Sequence, residues 1–191
     1  MLFRRIQMKK TWLIVIAVVA GLAIWLVSGY NGLVQLDETT NNQLAQVQTQ
    51  LQRRSDLIPN LVSTVKGYAS HEQAAIQAVS DARAKLGGAQ TVEDMSKADG
   101  ELSNALSRLL MITENYPDLK ADQNFRALQD ELAGTENRIA VARKDYNGAV
   151  RAYNSKIRTF PTSIYAGMFG FDQKAYFQAD DNAQTAPKVS F

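Results

Sequence analysis

The sequence predicts an all-α protein, an N-terminal transmembrane helix followed by an elongated antiparallel helical bundle of about four helices. Three observations predict it. Residues 11–29 form an uncharged apolar run, the chain beyond repeats apolar residues in alternating steps of three and four, and no useful stretch alternates in the two-residue period of a strand. The 191 residues are 46% apolar, with four prolines and no cysteine, so the fold must rest on helix packing without disulfides or thiol-bound metal.

The first element is T-W-L-I-V-I-A-V-V-A-G-L-A-I-W-L-V-S-G, Thr11 to Gly29, close to the roughly 20 residues that cross a bilayer as a helix. Trp12, Trp25 and Tyr30 lie near its ends, where aromatic rings favour the headgroup region. Arg4, Arg5, Lys9 and Lys10 precede the run and no Lys or Arg follows it until Arg53. The positive-inside rule then makes 1–10 a cytoplasmic basic N-terminus and the bulk extracytoplasmic, on a single-pass membrane protein. The competing reading is a cleaved leader with Val27-Ser28-Gly29 at its cut site, against which stands a run longer than the usual 7 to 15 residues. All 19 acidic residues follow the run, leaving the remainder slightly acidic and without a nucleic-acid footprint.

Beyond the run, residues 30–177 read as the bundle. Leu44, Val47, Leu51, Ile58, Leu61, Val65, Tyr68, Ala75, Val79, Ala82 and Leu86 form a heptad seam, interrupted at Arg54 and Glu72, and Gly87-Gly88 is its stop. One helix from Tyr30 to Leu86 would be a rod of about 85 Å. A second helix follows Thr91, with Val92, Met95, Leu102, Leu106, Leu109 and Ile112 on one face, and closes before Pro117. A third runs from about Asp118 to Phe160, its seam including Phe125, Leu132, Ile139, Tyr146 and Tyr153, and Pro161 ends it. The apolar stretch after Pro161 predicts one short helix and a turn, and 178–191 reads as a disordered tail.

Catalytic patterns are nearly absent. His71, the single histidine, stands in H-E-Q-A-A, where a zincin would need a second histidine at Ala75, so neither a catalytic residue, a metal site nor a cofactor is expected. Arg54 on a seam must be paired if buried, and Asp56, Glu136, Asn137 and Arg143 are the candidates for an interior polar cluster, with Glu131 nearby. Such a cluster fixes helix register, as a buried polar residue does in coiled coils; the alternative is a ligand site. Pro59 should kink the first helix near Asp56. In the tail, Val189 and Phe191 stand at alternate positions, the spacing with which an extended chain offers two side chains to one edge or groove.

The stretches Y30-N-G-L, Q52-R-R-S-D-L-I-P-N-L-V, V65-K-G-Y-A-S-H-E, E114-N-Y-P-D-L-K, T135-E-N-R-I and Y146-N-x-x-V-x-x-Y-N-x-x-I-x-x-F-P together resemble LemA family proteins over about Tyr30 to Phe177. The resemblance implies a bacterial protein with one N-terminal membrane helix and a soluble helical bundle, no established enzymatic activity, and a membrane-organising or surface role. The function expected is a non-enzymatic scaffold organising envelope membrane or proteins as a homo-oligomer, with an envelope protein as a further partner for the tail. The alternative is an envelope receptor or adaptor that holds a peptide or small ligand at the polar cluster.

Overall fold

Helical periodicity becomes helix over most of the chain's described length. The structure, a computed structural model, describes residues 2–178, with side chains from Trp12 onward; the tail expectations at Val189 and Phe191 lie outside the described residues. Among the described residues six α-helices follow one another: α1 Leu2–Tyr68, α2 Gln73–Gly88, α3 Val92–Thr113, α4 Pro117–Ala121, α5 Gln123–Arg158 and α6 Thr162–Ala166, then a 3-10 turn at Gly167–Phe169. No strand occurs among the described residues, so the fold class is all-α. The chain falls into two units. One takes in the chain up to Thr40 and Arg151–Lys174, the other Asn41–Val150 and the chain from Ala175.

In the first unit, α1 is apolar and exposed from Trp12 to Val27, and it alone among the described helices is long and apolar enough to cross a membrane. Just beyond, Leu33 packs with Tyr153, Ile157, Tyr165 and Ala166. Gly170, at φ 76°, closes the 3-10 turn in the left-handed conformation that glycine adopts without strain.

The second unit buries the seams. Val47, Leu61 and Val65 of α1, Val79 of α2, Leu102 and Leu109 of α3, Leu119 of α4, and Phe125, Ile139 and Val150 of α5 share one core. Here the structure corrects the expected single helix from Tyr30 to Leu86. The chain turns at residues 69–72, and α2 runs back along α1, so that Arg83 meets Ser55. The interruption at Glu72 was the turn itself: Glu72 N–H reaches the Ala69 carbonyl at 3.1 Å, and its carboxylate accepts the Tyr116 hydroxyl at 3.0 Å. The turn also shifts the buried phase, leaving Tyr68 exposed and Ala75 half-buried while Ala69 and Ile76 are buried. The expected third helix likewise divides. Asp122 has extended backbone and its carboxylate accepts the Phe125 N–H at 2.9 Å, capping α5. That amide, helped by the Tyr68 hydroxyl, holds the Asp122 carboxyl below its ordinary range.

Pro59 lies inside α1, which continues through it. A proline has no N–H, so the carbonyl four residues earlier, at Ser55, loses its helical donor. Arg83 Nε supplies a replacement at 2.9 Å, reaching from α2 to a residue that is itself buried. One side chain thus satisfies the proline's orphan and ties α2 to α1. Arg83→Ala is expected to cost about 1 to 3 kcal/mol, the range for a buried acceptor left unsatisfied. In a Pro59→Ala background residue 59 again has its own N–H, and the same Arg83→Ala change should cost distinctly less. Denaturant unfolding of the four members of this cycle measures the difference; equal costs in both backgrounds would separate Arg83 from the proline.

Candidate functional site

The charged centre of the second unit lies among α1, α3 and α5. Arg54 is 5% exposed, and its Nη1 donates to Asp99 Oδ1 at 2.9 Å and to Ser103 Oγ at 3.0 Å, and pairs with Glu136 Oε2 at 2.7 Å. Arg143 Nη2 pairs with the other oxygen of Asp99, which is 1% exposed. Two guanidinium groups and two carboxylates therefore face one another, and Asp99 is bridged on both oxygens. Bidentate use of a carboxylate by arginines from two helices fixes their relative height as well as neutralising the charge.

Arg54, Glu136 and Arg143 are thus brought together, Glu136 with its side chain half in solvent. Asp56 and Asn137 are not part of the cluster. Asp56 is exposed and accepts from Gln52 at 2.7 Å, one helical turn away. Asn137 is also exposed, because it follows Glu136 by 100° on α5, and it lines an open surface groove with Gln46 and Gln50. Glu131 forms a separate surface pair with Arg53 at 2.6 Å. The central member, Asp99, is one that sequence reasoning missed. Its signal was present: in the seam Met95, Leu102, Leu106, position 99 is the one that keeps the four-three-four step, and it holds an aspartate. Among the described residues no group of three or more His, Asp or Glu side chains is placed to hold a metal ion.

A second feature, also unread in the sequence, is the way the chain after α6 is held. The tyrosine–asparagine pair of α5 occurs twice, at Tyr146-Asn147 and Tyr153-Asn154, seven residues apart. In the first unit Asn154 makes a two-way amide pair with Lys174, donating to its carbonyl and accepting its N–H, both at 2.9 Å. The Lys174 ammonium lies over the Tyr153 ring and pairs with Asp37 at 2.9 Å. In the second unit Asn147 repeats the device on Phe177, again with both bonds at 2.9 Å. The Tyr146 hydroxyl donates to the Ala175 carbonyl at 2.9 Å, and Ser96 to that of Gln178 at 3.0 Å. The Phe177 ring stands edge-on to Tyr146 at 5.5 Å, with the Arg143 guanidinium 5.3 Å from its centroid. Burial pushes the Tyr146 hydroxyl above its ordinary pKa. The Asn147 amide thus holds the Phe177 backbone by both of its groups, and Tyr146 with Arg143 holds the Phe177 ring.

The model of the LemA family matches residues 43–191 of this chain. The chain is similar to magnetosome protein MamQ 2 of Paramagnetospirillum magneticum, 31% identical over 190 residues that cover 86% of this chain and 70% of that protein. Magnetosome protein MamQ of Magnetospirillum gryphiswaldense is 28% identical over 193 residues, covering 86% and 71%. Protein LemA of Metamycoplasma hominis is 26% identical over 153 residues, covering 79% and 69%.

The geometry of the charged centre separates its members energetically. Arg54→Ala leaves Asp99 with one cation where it had two and should lower the unfolding free energy by about 3 to 5 kcal/mol. Glu136→Gln removes a partner with solvent access and should cost under about 1 kcal/mol. Thermal or denaturant unfolding of the detergent-solubilised protein reads both; an unchanged Arg54→Ala midpoint would take the cluster out of the core's energetics.

Proposed function

Since the chain belongs to the LemA family, we propose that it is a membrane-anchored, non-enzymatic scaffold that organises envelope membrane or proteins through homotypic contacts between copies. The observation that carries this reading is the pairing inside the charged centre. Arg54, Arg143, Asp99 and Glu136 neutralise one another, as structural charges do, whereas a receptor for a charged ligand would hold at least one of them in reserve. The exposed apolar run of α1 supplies the anchor, and the four basic residues before it favour a cytoplasmic N-terminus in the inner membrane. Relatives named as magnetosome proteins support a membrane-associated role.

In this reading the contact between copies runs through the C-terminal segment. Lys174-Ala-Tyr-Phe177 is followed fourteen residues later by Lys188-Val-Ser-Phe191, the same K-x-x-F spacing ending on the last residue of the sequence. If Phe177 swings out, the Asn147 amide and the Tyr146 ring that hold it offer the same chemistry to Phe191 of a second copy, or to an envelope protein with the same K-x-x-F segment. Cross-linking of the protein in liposomes is expected to give oligomers. Deleting Lys188–Phe191 should reduce them several-fold while the unfolding midpoint stays unchanged. A strictly monomeric full-length protein would defeat the scaffold reading, and full assembly of the truncated protein would defeat the role of the tail.

A further inference from the structure

A short segment beside the end of the apolar run carries a second membrane contact. α6 and the 3-10 turn pack directly on α1: the Tyr165 ring stands edge-on to Trp25 with centroids 6.0 Å apart, and Tyr30 meets Phe169 at 5.2 Å and Phe171 at 5.7 Å. The approach depends on Gly29. A Cβ there would lie 2.2 Å from the Tyr165 hydroxyl oxygen and 3.0 Å from Cζ of the same ring, so Gly29 leaves the slot that the tyrosine fills. Tyr165 is buried, yet the segment turns its other large apolar side chains outward, with Phe160 77%, Ile164 62%, Met168 80% and Phe169 58% exposed. Exposed basic side chains, Lys156 and Arg158, end α5 next to it.

Depth decides what covers this face. From Trp12 to Tyr30 the helix rises about 27 Å at 1.5 Å per residue, against a hydrocarbon core of about 30 Å. With Trp12 at the near boundary, Tyr30 therefore lies at the far one, the level that aromatic rings prefer, and Trp25 lies about 8 Å below it in the same leaflet. A segment touching both rings spans the outer part of that leaflet, from the upper acyl chain to the headgroup boundary. Water there would face four bare apolar side chains; lipid would bury them and leave the basic side chains of α5 at the anionic headgroups. We infer that Phe160–Phe169 is an interfacial membrane element, seated in the acyl–headgroup boundary beside the anchor and continuous with its lipid-exposed surface. The inference rests on the reading of α1 as a membrane span. It makes the contact with lipid a wedge of helix plus side element rather than a lone helix, and it fixes the rotation of the first unit about the α1 axis.

The absence of native cysteine allows a direct test with the full-length chain in liposomes containing phosphatidylglycerol. Ile164→Cys and Met168→Cys, each labelled with the fluorophore NBD, should lose fluorescence to a nitroxide carried high on the lipid acyl chain, less to one near the chain end, and little to aqueous iodide. Quenching by iodide without quenching by lipid nitroxide would overturn the proposal. Emission shifted to the blue without lipid quenching would also overturn it, because a second copy would then be the cover. Ala17→Cys, labelled in the same way, reads the span itself: if it escapes the deep nitroxide, the anchor reading fails, and if it is quenched while positions 164 and 168 are not, only the interfacial element fails.

Discussion

One buried carboxylate organises the second unit. Asp99 is almost inaccessible to water, and a lone charge in that place would cost several kcal/mol in lost hydration. It persists because Arg54 takes one oxygen and Arg143 the other, drawing α1 and α5 to one level of α3. Apolar seams of leucine, valine and alanine slide past one another at small cost in buried area, so they drive association without choosing a register. The ion cluster chooses it. Glu136 and Ser103 complete the donors' partners on the Arg54 side, while the Nε atoms of both arginines remain unpartnered by protein. Such a cluster adds little net stability over an apolar replacement of the same shape, and its value lies in the arrangements it excludes.

Register set in this way places the other devices. With α1 and α5 fixed, Arg143 lies over Phe177, so the same guanidinium that neutralises Asp99 also forms one wall of the aromatic site. On the opposite side of the turn at residues 69–72, Arg83 fills the bond that Pro59 leaves open. Both arginines serve a charge or carbonyl in the interior and a neighbouring element at once. Neither could be replaced by lysine without losing a directed N–H, because the guanidinium offers several donors in one plane.

Much of this was legible in the sequence, and the parts that were not share a cause. The apolar run, the stop at Gly87-Gly88, the start after Thr91, the proline at the head of α4 and the pairing of Arg54 with Glu136 are all local patterns or simple consequences of burial. The turn before α2 was not recognised because the three-four step runs on across it, with only Glu72 out of place, and a heptad cannot report a reversal that keeps its own period. Asp99 was passed over for a similar reason: a polar residue on a seam between leucines reads as a gap until a partner is known. Asp56 and Asn137 were included on proximity along the chain, whereas about 200° of helical rotation from Arg54 and about 100° from Glu136 carry them into solvent. The asparagine pairs with Lys174 and Phe177 needed the returning chain in hand, which no local pattern supplies.

The central claim is that charge at Asp99, rather than the shape of its side chain, holds the helices of the second unit in register. Asp99→Asn keeps the shape and removes the charge, leaving two buried guanidinium groups facing a neutral amide. Urea unfolding of that variant in detergent should show a loss of about 3 to 5 kcal/mol, accompanied by weakened amide-exchange protection in α3 and in the parts of α1 and α5 that flank Arg54 and Arg143. An Asp99→Asn protein that unfolds at the wild-type midpoint with unchanged protection would contradict the account.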